Sequence, residues 1–398
     1  MISKFLSHKN KIFILILFLF SITVNQHYGN QGVFPKDSFH YFDSGYRVLN
    51  GDLPFIDYWS VRGPLLDYMQ AVFFYIFGVN WQSYVLHASS INVLITISTF
   101  FVLKNFKLKT IYCFFYSLLF AILAYPSSGT PFADQHSAFF SLLGIYSLLL
   151  AINNQRKLYW ALIPVFLGFA FLSKQVPASY VILSISFIII LYSFINNKFD
   201  CIKYPLISSV FFVLFVLIFG KFQGITFSSF LDQYIFYPQT VGAERIKNFN
   251  FTFSGVIGHF KFIYFAIIPL LYENLKKIFS NKNYIKHNNF YIFLILLSLT
   301  FSLILHQLLT KNQTFIFFLI PILTAFSQIS LIDSKLKFKK PICLIIILIC
   351  LLVTFKYHLR YNENRKFHEL NNVNFELAVD AKKIHKKLSG LNWITPQF

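Results

Sequence analysis

The sequence predicts an all-α protein that crosses a membrane many times. Hydrophobic residues make up 56% of the chain and charged residues only 13%, with a mean hydropathy of +0.59. Soluble proteins carry about 25% charged residues. Apolar runs long enough for a membrane-crossing helix recur along the whole chain, and Lys and Arg gather in the short loops between them. The formal charge of +20 is therefore explained by membrane orientation and does not predict a nucleic-acid partner.

Eleven apolar runs are predicted to span the membrane, at about twenty residues per crossing. They lie at 10–28, 84–103, 110–126, 137–152, 158–173, 179–195, 205–220, 255–272, 289–306, 314–331 and 341–356. Several of these runs are short for a perpendicular crossing. The first is predicted to stay uncleaved, because no small-residue cleavage site follows it. Residues 1–356 are thus assigned to a transmembrane domain and residues 357–398 to a polar C-terminal tail.

The loops differ in charge, and this difference predicts their orientation. Lys and Arg are about twice as numerous in the loops on the N-terminal side of the membrane as in the alternate loops, which places the N-terminus in the cytoplasm. The loop at 25–83 and the tail then lie outside. Leu377, Ala381, Ile384 and Leu388 recur at helical spacing and predict a solvated amphipathic helix in the tail. Contact of its basic face with anionic head groups is an alternative, and a continuation beyond Phe398 stays open.

The first outer loop, residues 25–83, is where acidic side chains gather. It holds a third of the chain's 15 acids, namely Asp37, Asp43, Asp52, Asp57 and Asp67. Carboxylates are rare elsewhere in this chain, so their concentration in one loop predicts chemistry at the membrane surface.

The same loop is predicted to contain two amphipathic helices that lie along the membrane surface. Apolar side chains recur every three or four positions from Phe39 to Leu49, with Asp37 at the N-terminal end, where the helix dipole stabilises a carboxylate. A second helix is predicted after Gly63-Pro64 and is expected to end at Gly78, because Pro suits a first helical turn. In the simplest alternative, Asp37 is only a helix cap.

Several motifs resemble those of a known family. The first-loop run resembles the first outer loop of GT-C glycosyltransferases, most closely the branch of protein O-mannosyltransferases and lipid A aminoarabinose transferases. Its matching pieces are Asp37, Tyr46, Asn50–Phe55, Asp57–Trp59, Gly63–Leu65 and Phe77–Gly78. Weaker likeness occurs at Ala133–His136, Gly168–Lys174 and Asn312–Pro321.

This resemblance implies a GT-C-like membrane fold and an enzyme that transfers a hexosyl or pentosyl sugar from a polyprenyl-phosphate donor. The acceptor would be a glycan, a lipid or a protein of the cell envelope. The site would face the periplasm or exterior of a bacterial cytoplasmic membrane. A single displacement would invert the anomeric centre, as the family does.

The resemblance also implies roles for particular residues. Asp37 would be the general base. The family usually carries a pair of acids here, but Ser38 follows Asp37, so Asp134 is expected to supply the second. The expected donor-phosphate ligands are Lys174, Arg62 and Arg245, and the expected substrate contacts are His40, Tyr58, His136 and Gln313. Alternatively, Lys174 only extends from a span end toward the membrane surface.

Metal binding is not predicted. The four Cys lack zinc-ligand spacing. A divalent cation that bridges His40 and His136 with Asp37 and Asp134 stays open, although the four residues lack tight spacing.

Two other functions stay open. One is a surface-polysaccharide polymerase or ligase that uses lipid-pyrophosphate glycans. The other is a flippase or transporter, which is disfavoured because transporters place charged groups in mid-membrane, whereas the spans here are almost free of them.

Overall fold

The computed structural model describes residues 8–31, 39–247, 249, 252–310, 315–332, 334–360, 374–383 and 385–393. Each of the eleven predicted apolar runs corresponds to a helix. The helices are α1 (His8–Gly29), α2 (His40–Leu49), α3 (Pro64–Phe77), α4 (Trp81–Asn105), α5 (Thr110–Ala124), α6 (Ala133–Asn154), α7 (Lys157–Ser173), α8 (Gln175–Asn196), α9 (Asp200–Phe222), α10 (227–247), α11 (Ser254–Ser280), α12 (Asn288–Leu309), α13 (Leu319–Ile332) and α14 (Lys339–Arg360). The all-α polytopic class is confirmed.

The two short helices of the first loop are confirmed as well. α2 begins at His40, directly after Phe39, and α3 has Pro64 in its first turn. Gly78 follows α3 with a φ of 81°, a conformation that favours glycine, and it ends the helix at the predicted residue. Asp37 lies outside the described residues.

The number of membrane crossings is only partly established. Among the described residues, eight helices are long and apolar enough to cross a membrane: α1, α4, α6, α8, α9, α11, α12 and α14. The remaining three, α5, α7 and α13, have 15, 17 and 14 residues. These lengths fall short of the about 20 residues that a straight crossing needs. The total of eleven crossings therefore stays a prediction.

The eleven helices alternate in direction, so that the bundle has two distinct ends. At one end, called here the site end, the Trp81 indole donates to the carbonyl of Gly29 at 3.1 Å and Gln135 donates to that of Ala124 at 2.8 Å. At the opposite end, called the basic end, Lys104 donates to Asn10 at 2.6 Å. Many loop cations lie at the basic end, and they include Lys104, Lys107, Lys109, Arg156, Lys157, Lys198 and Lys203.

Helices α6 and α9 occupy opposite extremes of burial. In α6, 94% of the apolar stretch that could cross the membrane is buried within the protein, whereas none of the corresponding stretch of α9 is buried. α6 is therefore the central helix, and α9 is a peripheral helix whose surface is available to lipid. Glycine permits the contact between α9 and α7, because a Cβ on Gly168 would lie 2.2 Å from the Phe212 ring.

The predicted amphipathic helix in the tail is wrong. The described part of the tail forms short 3₁₀ turns and an antiparallel pair of strands, β1 (Val379–Asp380) and β2 (Asn392–Trp393). Gly390, with a φ of 87°, allows the chain to turn back. The predicted tail helix would also be short, and a short helix is only marginally stable by itself. Ala381 and Leu391 are buried in a cluster with Trp81 and Tyr41. This contact places the tail at the site end, beside α2 and α4.

Candidate active site

Three ionisable side chains from different helices meet at the site end. The Lys174 ammonium lies 2.6 Å from Oδ2 of Asp134, and Nε2 of His306 lies 2.9 Å from Oδ1 of the same carboxylate. The side chains of Asp134 and His306 are 2% and 1% exposed, whereas that of Lys174 is 19% exposed. Lys174 is thus the member of this cluster that solvent or a ligand can reach.

Local backbone structure brings these groups together. Asp134 lies in the first turn of α6, where the helix dipole favours a negative charge. Lys174 has an extended conformation between α7 and α8, and its carbonyl accepts a hydrogen bond from Ser137 at 3.1 Å. His306 lies in the last turn of α12. The cluster therefore joins the site ends of α6, α7 and α12.

Both carboxylate oxygens of Asp134 are already engaged. Removing one partner of a buried ion pair leaves an uncompensated charge, which is strongly destabilising. An oxygen that already contacts an ammonium or an imidazole is poorly placed to accept a proton from a substrate. The geometry suits Asp134 to hold Lys174 in position.

Arg62 is placed next to this cluster by a close backbone contact. The N–H of Gly63 donates to the carbonyl of Ser173 at 3.1 Å. A Cβ at Gly63 would lie 1.7 Å from the Leu172 carbonyl oxygen, so only glycine fits here. The Arg62 guanidinium lies 5.8 Å from the centre of the Tyr41 ring. Two cations from separate segments, Arg62 and Lys174, thus lie on either side of this contact.

Arg245 approaches the cluster from α10. The helix contains a π-helical turn, Leu231–Phe236, a feature that often marks functional sites. Gln233 fastens this turn to the first loop by accepting from the Ser60 N–H at 2.9 Å and donating to the Phe55 carbonyl at 3.0 Å. Arg245 is close enough for its charge to act on His306.

Asp67 joins the two helices of the first loop. Ser44 of α2 donates to its carboxylate at 2.6 Å, and the Tyr58 hydroxyl donates to it at 2.9 Å. Burial raises the pKa of Asp67 to about 6, although the two hydrogen bonds and the charge of Arg62 oppose the rise. This carboxyl group therefore changes charge near neutral pH.

The remaining residues predicted for the site do not all lie beside the cluster of Asp134, Lys174 and His306. His136 is buried on a different side of α6 from Asp134, and its Nε2 lies 3.3 Å from that of His87. His40 is half-buried at the start of α2, with its ring against Tyr41, and Tyr58 contacts Asp67. Gln313, like Asp37, lies outside the described residues. Within the described part of the chain, no group of three or more His, Cys, Asp or Glu is arranged to hold a metal ion.

An apolar groove begins beside the two cations. A cavity of about 660 Å³, lined by residues that include Leu65, Leu172 and Phe219, lies between α3, α7, α9 and the start of α10. A second cavity of about 380 Å³ shares Leu172 with it and continues between α7, α8 and α9 toward the middle of the bundle. Because α9 is exposed along its length, this groove opens toward the lipid.

Two residues of the site were not assigned a role from the sequence. His306 falls at the end of the predicted span 289–306, and an ionisable residue within an apolar run indicates function by default. That signal was sufficient to select it. Asp67 was counted among the loop acids, but only the structure distinguishes it from its exposed neighbours.

The polytopic bundle thus combines an ionic cluster and an apolar groove at one end. Residues 61–220 match the model of a GT-C family described as dolichyl-phosphate-mannose-protein mannosyltransferase. This match confirms the resemblance and supports a multi-pass membrane glycosyltransferase of the GT-C type. The family implies a lipid-phosphate-linked sugar donor and a glycan or protein acceptor.

The matched range covers less than half of the chain. It includes Arg62, Asp134 and Lys174, and it excludes Asp37, whose neighbourhood carries the strongest motif resemblance. No curated protein and no solved structure matched the sequence.

The raised pKa of Asp67 predicts a pH-dependent stability. The folded state holds this proton up to about pH 6, whereas the unfolded chain releases it near pH 3.8. The protonated carboxyl group therefore stabilises the folded state fully below about pH 3.8, and this contribution is lost as pH rises through about 6. It amounts to about 2–3 kcal/mol. We expect Asp67→Asn to reduce the fall in melting temperature between pH 5 and pH 7.5, measured in detergent.

Asp57→Asn is the matched control, because Asp57 is an exposed acid of the same loop. It should keep the pH dependence of the wild type. An unchanged fall in Asp67→Asn would contradict the assignment.

Proposed function

We propose that this protein transfers a sugar from a polyprenyl-phosphate donor to an acceptor hydroxyl of the cell envelope, on the outer face of the cytoplasmic membrane. The observation that carries the proposal is the position of two cations at the head of an apolar groove. Arg62 and Lys174 are each two residues along the chain from a residue that lines the groove, Pro64 and Leu172 respectively. A polyprenyl phosphate has the same two parts, an anionic head and a long apolar tail.

The donor phosphate would bind between Lys174 and Arg62, with Arg245 approaching from α10. Charge on this phosphate grows as the sugar leaves. Fixed cations in a site poor in water stabilise such charge far more than cations in bulk solvent do. The tail would lie in the groove between α7 and α9, where van der Waals contacts with apolar side chains would hold it.

Asp37 is proposed as the general base, in agreement with the family motif. It precedes Phe39 by two residues, and two residues span at most about 7 Å. Phe39 stacks near Phe42 and Trp81 at the site end. The position of Phe39 supports the proposal that Asp37 acts at the same end of the bundle as Lys174.

The reaction would be one displacement. The acceptor oxygen forms a bond to the anomeric carbon while the bond from that carbon to the phosphate oxygen breaks. The acceptor proton passes to Asp37, and the electron pair stays on the polyprenyl phosphate, beside the cations. The anomeric centre would be inverted.

Asp134 is proposed to act through Lys174. The sequence predicted it as the second catalytic acid, but both of its oxygens are occupied by Lys174 and His306. It would therefore be a positioning residue that keeps the ammonium at the phosphate.

Replacement of Asp37 by Asn should reduce sugar transfer by about 10²-fold or more, because the base is lost. The measurement is transfer from a polyprenyl-monophosphate sugar in membranes, with protein levels checked by immunoblot. Asp43→Asn should retain activity. Full activity of Asp37→Asn refutes the base assignment, and turnover of polyprenyl-pyrophosphate glycans alone would favour the polymerase or ligase.

The link between Asp134 and Lys174 predicts non-additive effects. Lys174→Met and Asp134→Asn should each raise the donor KM or lower kcat, and the double variant should be little worse than Lys174→Met, since residues in one network do not act independently. Lys174→Arg should retain part of the activity. Losses that multiply in the double variant would instead indicate that Asp134 has its own catalytic role.

The groove predicts dependence on the length of the donor tail. Gly220 lines the groove, and a side chain at this position meets no protein atom within 4 Å of its Cβ. We expect Gly220→Leu to raise KM for a long-chain donor by about tenfold, or about 1.4 kcal/mol, because the added side chain displaces the tail from its contacts in the groove. KM for a short-chain donor should change little. Gly242→Leu, also in open space, is the control. Equal effects on both donors would place the tail elsewhere.

A further inference from the structure

We propose that a cavity at the basic end binds the phosphate-bearing head group of an anionic glycerophospholipid. The cavity has a volume of about 410 Å³ and lies between the first turns of α7 and α9, at the opposite end of the bundle from the candidate active site. Unlike the apolar groove, it is lined mainly by polar and charged residues, which are Gln155, Lys157, Asn197, Lys198 and Asp200, together with the aromatic residues Trp160 and Tyr204.

Two turns build the polar wall of this cavity. Gln155 ends α6 and Asn197 ends α8, both with left-handed backbones, at φ of 53° and 51°. The Lys198 ammonium donates to the Gln155 side chain at 3.1 Å and lies 3.4 Å from the Tyr192 hydroxyl. Gln155 in turn donates to that hydroxyl at 2.8 Å. These contacts hold the ammonium of Lys198 at the cavity while leaving the residue exposed.

The second ammonium comes from the opposite wall. Lys157 lies 5.3 Å from the centre of the Tyr204 ring, and Trp160, only 2% exposed, forms the floor. The cavity thus has two ammonium groups and one carboxylate, Asp200, which is exposed. Its net charge is positive, and it lies within the basic end. Basic pockets between transmembrane helices are typical sites for anionic lipid head groups.

The apolar side chains beside the cavity favour a lipid over a soluble phosphate. Phe194 and Phe199 form an edge-to-face pair with ring centres 5.8 Å apart, and their side chains are 61% and 59% exposed. Leu158, on the α7 side, is 65% exposed. Acyl chains would cover these apolar side chains while the phosphate contacts the lysines. A soluble phosphate would use only the cavity and leave the rim exposed.

A bound lipid would fasten α9 to the bundle. Cys201, beside the cavity, is the only buried residue of this helix, and α9 also contacts α7 through a hydrogen bond of 2.6 Å from Ser208 to the Ala161 carbonyl. A phosphate between Lys157 of α7 and Lys198 of the turn before α9 would join the two helices at their first turns. Because α9 forms one wall of the apolar groove, this lipid would stabilise the groove from the opposite end.

The test is the melting temperature of the full-length protein in a neutral detergent, with and without added dioleoylphosphatidylglycerol. We expect this lipid to raise the melting temperature by several degrees, because a ligand that binds only the folded state stabilises it. Dioleoylphosphatidylcholine and soluble glycerol phosphate should not. In the double variant Lys157→Gln/Lys198→Gln, the apparent affinity for phosphatidylglycerol should fall about thirty-fold, since each lysine contributes attraction to anionic lipid.

The matched control is Lys335→Gln/Lys337→Gln, which removes two exposed charges from the same end of the bundle, away from the cavity. It should keep the lipid-dependent shift, and native mass spectrometry should find one tightly bound phosphatidylglycerol on it and on the wild type. An equal loss of the shift in both double variants would mean that only the overall charge matters. Stabilisation by soluble glycerol phosphate would assign the cavity to a free phosphate. Absence of any shift in the wild type would also overturn the proposal.

Discussion

The ionic contact between Asp134, Lys174 and His306 is the interaction on which the site end depends. It joins the ends of α6, α7 and α12, and two of its three side chains are almost fully buried. A buried carboxylate is tolerated only when it is paired. The contact therefore fixes Lys174 relative to α6 and α12, and every function proposed for this ammonium rests on that fixed position.

A second constraint is the contact between the first loop and the α7–α8 junction. Gly63 packs directly on the backbone of α7, and Gln175 donates to the carbonyls of Val61 at 3.1 Å and Tyr234 at 2.6 Å. One amide side chain thus joins the first loop, α8 and α10. These contacts bring Arg62 to the head of the apolar groove, so that cationic and apolar surfaces are adjacent. A donor with a phosphate and a hydrocarbon tail requires such an arrangement.

The sequence predicted the architecture well, because the signals for it are local. The boundaries of α3 follow from Pro64 and Gly78, and each apolar run became a helix. The sequence also selected Asp134 and Lys174 and predicted that both lie on the same side of the membrane. It failed in the tail, where helical spacing at Leu377, Ala381 and Leu388 predicted a helix. There, packing of Ala381 and Leu391 against the first-loop cluster and the turn at Gly390 outweigh a weak local preference.

The amino-acid sequence by itself determined the class of fold, the two ends of the bundle and the residues available for chemistry, because hydrophobicity, charge asymmetry and turn residues act over short distances. Only the tertiary structure decided which of these residues meet. It paired Asp134 with Lys174 and His306, turned His136 toward His87, and separated the buried Asp67 from the exposed acids of its loop. Such choices depend on contacts between different helices, from 40 positions apart for Asp134 and Lys174 to 172 for Asp134 and His306, and sequence spacing does not encode them.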